Sequence, residues 1–453
     1  MKKATVLLWL LPGLYSSSVA QSKRDDIYSD FVLYNKRQLL YKDLHENVIG
    51  KTFSLPLDSN TEYKYEAACR AIVQFMWDKD ITQKGLTTLF IKYDSLQFDT
   101  KRAMLEAVYG LYPTQYIQSI QYLLSKETNP VLFTMAAVYS LRYDTTKANI
   151  NNIRFRLSEQ FPNYATSNIL SELAKYLNSY TRFKALTTND MVELFLHQQV
   201  VKKKVVYSFQ RHNRDYPGLA IIQNANGSFM RYSDGRLMVF EQLARSASGM
   251  PYFIPDGNTP QGMYSIQGTA TTYNKLIGPT PNLQLVMPYE RKFATYFHIP
   301  DTVVWNTSQD LLWSYMQLVP PTWKNNTSMA EAFFAGKIGR HAIIAHGTTI
   351  DPEYFKDKPY YPLTPTMGCL CAKELWNVSN GRLLESHQYN LVNAFTSTGS
   401  GRGFLYVIDV DNQQKPVTRA EVERWVKEFE NLKLDDAKDR VQSLTFKAPH
   451  TAK

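Results

Sequence analysis

The spacing of apolar residues changes near residue 200, and this change restricts the chain to a helical half followed by a mainly β half. Over 26–200, apolar residues recur at intervals of three and four, which is typical of amphipathic helices. The clearest such segments are 67–77, 103–111, 117–124 and 131–141. We therefore predict an all-α region over 26–200.

A short internal echo lies within this helical region. The sequence at 107–111, AVYGL, is matched at 137–141 by AVYSL, an offset of 30 residues. Small alanines in the middle of paired helices allow neighbouring helices to approach closely, as stacked helical repeats require. The echo favours a HEAT-like α-solenoid with a surface for cell-wall or envelope proteins. An irregular helical bundle is the alternative.

Beyond Lys204 the sequence has the character of short strands joined by turns. Asn226-Gly227 and Asp234-Gly235 lie between apolar or aromatic stretches, a pattern that predicts β-hairpins. β-Branched runs return at 302–304 and 405–410. We predict a mainly β domain over 203–412, and a C-terminal helix and tail over 416–453 because helical spacing resumes after Thr418.

The N-terminus has the features of a secretory signal peptide over 1–20. Lys2 and Lys3 precede the apolar run 4–14, and Ser18-Val19-Ala20 offers small residues for cleavage. The run is shorter than the roughly 20 residues that span a bilayer, and no later stretch reaches that length. The sequence therefore predicts an exported protein, periplasmic or associated with the cell wall, without a transmembrane segment once the signal is removed.

Charge adds little to the assignment of a function. The chain of 453 residues carries a net charge of +10, and removing the two signal lysines lowers it to +8. A basic exported protein could be drawn to an anionic wall polymer, although a solubilising surface gives the same balance. Because positive residues form no run other than Lys202-Lys203-Lys204, nucleic acid is not predicted as a partner.

The chain has three cysteines, Cys69, Cys369 and Cys371. This number excludes a disulfide framework and a four-thiolate zinc site. Cys69 lies among alanines in a helical segment, and packing is the expected role for it and for Cys371. A strained regulatory disulfide between Cys371 and Cys369 is the minority alternative. One cysteine, Cys369, has neighbours that point to chemistry.

Cys369 and a histidine upstream have the layout of a nucleophile and its base. A β-branched run delivers His346, and Gly368-Cys369 follows 23 positions later. A thiol with an ordinary pKa near 8.5 is a weak nucleophile at neutral pH unless a base takes its proton. Gly368 lacks a Cβ, so the backbone can turn amide N–H groups towards a developing oxyanion. His341, five residues before His346, is the alternative base.

These residues resemble the catalytic signature of the L,D-transpeptidase (YkuD-type) family, in which a histidine, a spacer and then Ser/Thr-His-Gly-Cys follow one another. A second match lies upstream: the segment 258–266, NTPQGMYSI, resembles the family's Thr-Pro-x-Gly-x-aromatic-x-Ile strand entry. The resemblance covers roughly 203–412. It implies a mainly β catalytic domain that acts on peptidoglycan stem peptides without a metal or an organic cofactor.

The resemblance implies acyl transfer through a thioester. Cys369 would attack the carbonyl after the L-centre residue of a stem tetrapeptide and expel D-Ala, with His346 as general base and then general acid. An amine of a neighbouring stem would give a cross-link, a free amino acid would give exchange, and water would give a carboxypeptidase or a hydrolase of wall-attached proteins. A catalytically inactive cell-wall-binding scaffold is an alternative of a different class.

The sequence departs from the family pattern at two positions. Met367 stands where a second histidine is common, and Cys371 stands where Arg or Asn is common, so Lys373 or Arg382 is expected to supply a cation. The spacer between His346 and Thr366 is 19 residues long, slightly more than usual. The substrate-binding residues expected from the sequence are Thr366, Met367, Tyr264, Tyr296, Tyr361 and Lys373. The loop 351–365 holds four prolines and is either a lid over the cleft or a passive cover.

Overall fold

A computed structural model of the chain describes residues 24–180, 183–302 and 308–432. The predicted signal peptide over 1–20 lies outside these ranges, as does the tail beyond 432. Within the ranges, the predicted division into a helical half and a strand-rich half is confirmed.

The first half is helical, as the spacing of its apolar residues predicts. A π-helix, Leu44–Lys51, and several 3-10 turns lie between longer α-helices. The α-helices up to residue 201 are α1 (Tyr34–Asp43), α2 (Glu62–Gln74), α3 (Asp80–Ile91), α4 (Phe98–Leu111), α5 (Ile117–Lys126), α6 (Pro130–Tyr143), α7 (Lys147–Gln160), α8 (Asn168–Ser179) and α9 (Thr188–Val201).

Helices α2, α4, α6 and α8 pack on one another in chain order, and α3, α5 and α7 pack against them. The internal echo falls on α4 and α6, where Ala107 and Ala137 have no exposed surface. Since neither residue has a side chain beyond Cβ, the two helices can pack closely. At the start of α6 the Asn129 side chain accepts from the N–H groups of Val131 and Leu132, which caps the helix.

The second half is built around a closed eight-stranded barrel with the strand order β1-β10-β4-β5-β6-β7-β3-β2. Neighbours are antiparallel except for β1 with β10 and β6 with β7. The other two strands, β8 and β9, form a separate hairpin. The strands are β1 (Val205–Arg211), β2 (Gly218–Gln223), β3 (Phe240–Leu243), β4 (Gly262–Ala270), β5 (Asn282–Val286), β6 (Ile344–His346), β7 (Leu370–Ala372), β8 (Glu374–Trp376), β9 (Leu383–Ser386) and β10 (Gly403–Asp411).

Five further α-helices accompany the barrel. They are α10 (Phe293–Phe297), α11 (Ser308–Met316), α12 (Glu331–Ile338), α13 (His387–Thr396) and α14 (Arg419–Glu430). The expected C-terminal helix is α14, which begins at a capping box between Thr418 and Glu421.

The two predicted hairpin turns are present between β2 and β3. Gly227 and Gly235 both have a positive φ, of +88° and +84°, which explains the Asn-Gly and Asp-Gly pairs. The stretches around them make isolated bridges rather than long strands. The predicted β-branched run at 302–304 lies mostly outside the described residues.

The two halves share one hydrophobic core. Buried residues of α2 to α8 form a single cluster with Leu243, Phe253 and Ile254 of the barrel half, and with Phe355 and Tyr360 of the loop 351–365. The helical half therefore packs directly on the loops that follow β3 and β6.

Two segments from the N-terminal side of the boundary also pack on the barrel half. In α9, the buried Phe195 contacts the rings of Tyr207 and Phe209 in β1. Near the chain start, Ile27 is buried against Trp376 and Leu383 of the β8–β9 hairpin. By packing, α9 belongs with the barrel although it lies within the predicted helical range 26–200.

Candidate active site

The predicted nucleophile lies at the end of a tight turn that leads into β7. Thr366 Oγ1 accepts from Gly368 N–H over 3.1 Å and donates to Cys369 O over 2.9 Å. Gly368 has φ +105°, a conformation that residues with a Cβ rarely adopt. The turn therefore has a fixed shape, and Cys369 leaves it at intermediate exposure.

The upstream motif contacts the same turn. Thr259, 1% exposed, donates from Oγ1 to Gly368 O over 3.0 Å and to Cys369 O over 3.1 Å. Three positions on, Gly262 has φ +125°, and a Cβ there would lie 2.3 Å from the Tyr315 hydroxyl. The Thr and Gly of the motif thus have separate structural roles, one at the nucleophile turn and one in the entry to β4.

A buried arginine lies beside this turn. The Arg340 guanidinium donates to Gly257 O and Asn258 O, each over 2.8 Å, and also to Tyr252 O. A Cβ on Gly368 would lie 2.3 Å from Arg340 Nη2, so the glycine is required for this close approach. Sequence reasoning did not identify Arg340, since one arginine ahead of a strand carries no local signal.

Arg340, rather than Lys373 or Arg382, is the cation next to the nucleophile. Lys373 forms ion pairs with Glu241 at 3.5 Å and Glu385 at 3.3 Å. Arg382 donates to Asp25 O near the chain start. The expectation that one of these two residues supplies a cation to Cys369 is corrected accordingly.

His346 is the last residue of β6 and is 5% exposed. Its Nδ1 lies within hydrogen-bond distance of Gly347 O. Because a carbonyl oxygen only accepts, Nδ1 carries the proton and Nε2 has the free lone pair. Burial lowers the pKa of His346 to about 4, despite the opposing effect of Gly347 O. The imidazole is therefore neutral at pH 7 and able to accept a proton at Nε2.

A buried glutamate holds the turn that follows His346. The Glu374 carboxylate accepts from Thr348 N–H over 2.8 Å and from the Ser386 hydroxyl over 2.5 Å. A Cβ on Gly347 would lie 2.1 Å from the Glu374 carboxyl carbon. Burial raises the pKa of Glu374 to about 7. Glu374 thus fixes the backbone whose carbonyl holds the His346 ring.

The barrel places His346, the last residue of β6, beside β7, which begins one residue after Cys369. In the parallel β6–β7 pair His346 lies opposite Cys371, and Ile344 N–H donates to Cys369 Sγ over 3.5 Å. His346 is two residues from Ile344, about 7 Å along the strand. No hydrogen bond joins the Cys369 thiol to the His346 ring, both of which the structure describes.

The thiol is protonated in this arrangement. Burial raises the pKa of Cys369 to about 11, although Ile344 N–H and the charge of Arg340 lower it. With His346 near 4, thiol and imidazole are both neutral at pH 7. The pair can transfer a proton during attack but does not store a thiolate beforehand.

The backbone around Cys369 offers one oxyanion donor. Gly368 N–H is taken by Thr366 Oγ1, so it is not free to bind an oxyanion. For Cys369 N–H no acceptor is found among the described residues. The expected role of Gly368 in an oxyanion loop therefore reduces to shaping the turn that carries the Cys369 amide.

His341 also lies close to the nucleophile. It is exposed, and the next residue, Ala342, has its carbonyl oxygen 3.7 Å from Cys369 Sγ. Its Nδ1 lies 3.1 Å from Gly339 O, which leaves Nε2 free. Both histidines remain candidates for the base, one buried and one exposed.

Two tyrosines expected at the substrate are instead in the core. Tyr264 in β4 and Tyr296 in α10 have no exposed surface, and their hydroxyls donate to Pro260 O and Met263 O over 2.8 Å each. Alternation along a strand does not reveal which face is covered when both faces of the sheet are buried. Neither tyrosine lines an open groove.

The loop 351–365 packs as a cover. Phe355, Tyr360 and Leu363 are buried in the core shared with the helical half, and Asp351 forms an ion pair with Arg37 at 3.0 Å. Tyr361 remains 42% exposed and donates to Glu353 over 3.0 Å. It lines a separate cleft of about 420 Å³ with Glu241 and His387. The buried side chains and the ion pair of Asp351 fix the loop in place, which favours a passive cover over a lid.

The remaining residues of the motif have packing roles. Met367 is partly buried against the shared core, and Cys371 and Cys69 are fully buried free thiols.

Within the described ranges, no group of three or more His, Cys, Asp or Glu side chains is arranged to hold a metal ion. The same ranges contain no helix long and apolar enough to cross a membrane.

Comparisons with protein-family models, with curated proteins and with solved structures found no match to this chain. Assignment of a function therefore depends on the motifs and on the geometry described above.

Proposed function

We propose that the protein is an exported cysteine acyltransferase that acts on peptidoglycan stem peptides, as the resemblance to L,D-transpeptidases implies. One observation carries the proposal. Cys369 stands on a turn held by Thr259 and Thr366, one strand away from a neutral histidine with a free Nε2. Two sequence motifs 110 residues apart thus meet at the backbone of Cys369.

In the acylation step the Cys369 thiol proton passes to His346 Nε2 while Sγ forms a bond to the peptide carbonyl carbon. The carbonyl oxygen becomes an oxyanion near Cys369 N–H, and the positive charge of Arg340 lies beside Gly368 of the same turn. The C–N bond then breaks, and the imidazolium gives its proton to the departing amine of D-Ala. The products are a thioester on Cys369 and the free amino acid.

The second step depends on which nucleophile reaches the thioester. A side-chain amine of a neighbouring stem would attack the carbonyl, lose a proton and release the thiol, giving a cross-link. Water would give a carboxylate, and a free amino acid would give an exchange product. The transpeptidase is the proposal, and the carboxypeptidase is one of the outcomes that its test distinguishes.

The test uses protein lacking residues 1–20 and purified tetrapeptide muropeptides. The expected result is a mass increase on Cys369 equal to the stem acyl group, together with released D-Ala. Cys369→Ala should abolish both, and Cys371→Ala is the matched control because that thiol is buried. Dimers identify the transpeptidase, and D-Ala release without dimers identifies the carboxypeptidase. No acylation of the unmodified protein would refute the enzyme assignment.

A pair of variants then assigns the base. His346→Ala and His341→Ala each remove one of the two candidate imidazoles. We expect His346→Ala to lower the acylation rate at least about a hundredfold and His341→Ala less than about fivefold. The reverse order would transfer the role to His341.

A second candidate function is a non-catalytic scaffold that binds the cell wall. The observation that favours it is that the Cys369 thiol contacts Ile344 N–H and Ala342 O and makes no hydrogen bond to His346. If sedimentation with purified peptidoglycan is unchanged by Cys369→Ala and no acyl-enzyme forms, the scaffold is the better assignment. The helical half would then carry the function.

A further inference from the structure

A second polar cleft lies where the helical half meets the barrel, apart from the nucleophile turn. Its volume is about 290 Å³. Tyr109, Arg142 and Tyr180 line it from the helical half, and Arg214, Arg245 and Asn258 line it from the barrel half. Both halves are needed to form it.

The lining is rich in guanidinium groups. Arg245 is paired with Asp215 at 2.5 Å, and Arg214 is paired at 2.7 Å with Asp409, which lies behind the lining. Arg142 is exposed and contacts Tyr109, whose carbonyl oxygen accepts a hydrogen bond from it and whose ring packs under the guanidinium. Among the described residues Arg142 has no carboxylate partner. His212, also in the lining, adds charge when protonated, so positive charge exceeds negative charge here.

A second observation concerns a buried arginine nitrogen in the lining that has no hydrogen-bond acceptor. Arg214 is 8% exposed, and its Nη1 has no hydrogen-bond partner. A buried guanidinium nitrogen without an acceptor loses its hydration, and such groups are rare in folded proteins. Because Nη1 itself has almost no exposed surface, a ligand oxygen would bond it only after the Arg214 guanidinium turns towards the cleft.

The cleft adjoins the segments that hold the nucleophile turn. Asn258 precedes Thr259, and its carbonyl accepts from Arg340. At the other end of the lining, Arg245 O accepts from Thr366 N–H over 3.2 Å. A ligand between Arg245 and Asn258 would therefore contact the two segments that hold Thr366 and Cys369.

We propose that this interdomain cleft binds a small organic molecule through an oxyanion, a carboxylate or a phosphate. Guanidinium groups recognise both anions with paired N–H donors, and the tyrosine rings would pack against the rest of the ligand. The proposal does not depend on acyl transfer at Cys369, because none of the residues that line the cleft takes part in the proposed chemistry.

Isothermal titration calorimetry at constant ionic strength tests the proposal, with succinate, inorganic phosphate and chloride as separate titrants. We expect saturable binding of succinate or phosphate and none of chloride. Arg142→Gln keeps a donor at an exposed position and should weaken binding at least about tenfold, and Arg214→Gln should weaken it as much. Arg156→Gln, at a partly exposed arginine of α7 outside the cleft, is the matched control and should bind as the unmodified protein does.

The outcomes separate the sources of the anion. Binding of succinate alone indicates a carboxylate ligand, and binding of phosphate alone indicates a phosphorylated one. Cys369→Ala should bind either probe unchanged, so a failed acylation assay does not bear on this site. The proposal is overturned if neither probe saturates, or if Arg142→Gln and Arg156→Gln bind equally well.

Discussion

Thr259 holds Cys369 from 110 residues upstream, because its hydroxyl donates to the Cys369 carbonyl oxygen over 3.1 Å. The same hydroxyl reaches Gly368 O, so one side chain fixes both peptide groups on either side of the nucleophile's Cα. A shift of this threonine would change the direction of the thiol. The strand-entry motif and the Gly-Cys motif are therefore parts of a single structural unit.

Thr259→Val tests this connection, because valine has nearly the same shape and no hydroxyl. Two buried carbonyl oxygens would lose a donor, and we expect a loss of about 1–2 kcal/mol in the free energy of unfolding. We expect the acylation rate of Cys369 to fall at least about tenfold, measured by mass spectrometry. Thr134→Val in α6 removes a comparable hydroxyl-to-carbonyl bond far from the site and should lower stability without lowering that rate. Equal rates for the two variants would contradict the role of Thr259.

Gly368 and Gly339 form a matched pair for a second prediction. Both have φ +105°, but a Cβ on Gly368 would meet Arg340 at 2.3 Å, whereas one on Gly339 would meet nothing within 4 Å. Each alanine substitution introduces backbone strain of about 1–2 kcal/mol. Gly368→Ala also displaces Arg340, so we expect a larger loss of stability in urea unfolding and loss of acylation. If the two variants unfold alike, Arg340 does not pack as described.

The sequence was informative where function depends on local spacing. A β-branched run ending in His346 and a Gly-Cys pair 23 residues later correctly indicated a strand and a turn. Glycine permits the positive φ found at Gly368, Gly227 and Gly235, and the Asn-Gly and Asp-Gly pairs indicate it at the last two. Helical spacing up to residue 200 likewise reflects periodicity within single elements.

Contacts between distant segments were not predictable in this way. Arg340 is held by three carbonyls of 252–258, a contact that depends on how the loop after β3 meets the start of β6. Tyr264 of β4 and Tyr296 of α10 are enclosed in two different hydrophobic clusters, and the pattern of a single segment does not carry that information. For the same reason, the sequence did not indicate that the helical half packs over the loops that follow β3 and β6.

The pKa directions predict how Cys369 alkylation depends on pH. Burial raises the thiol pKa to about 11, so the thiolate fraction, and with it the iodoacetamide rate, should still rise about tenfold per pH unit between roughly pH 8 and 10. Arg340→Met removes a cation that lowers this pKa and should slow alkylation further. Peptide mapping separates Cys369 from the buried Cys69 and Cys371. A rate that levels off below about pH 8 would show an activated thiolate instead.

The helical half should control the site through Arg102, which links α4 to the loop before Gly257. Arg102 lies 3.2 Å from Asp256 and 3.6 Å from Glu106, whose pKa burial raises to about 8.

Arg102→Met leaves both carboxyl groups without this cation, and we expect the free energy of unfolding to fall by about 1–3 kcal/mol. The loss should be larger at about pH 9 than at about pH 6, because a protonated Glu106 no longer needs the charge. Since Gly257 O accepts from Arg340, Cys369 alkylation should also change. Arg156→Met in α7 is the control: it removes a single ion pair, with Glu159 at 3.3 Å, and should lower stability by less than about 1 kcal/mol and leave alkylation unchanged. An unchanged alkylation profile in Arg102→Met would mean that the helical half does not influence the nucleophile turn through this contact.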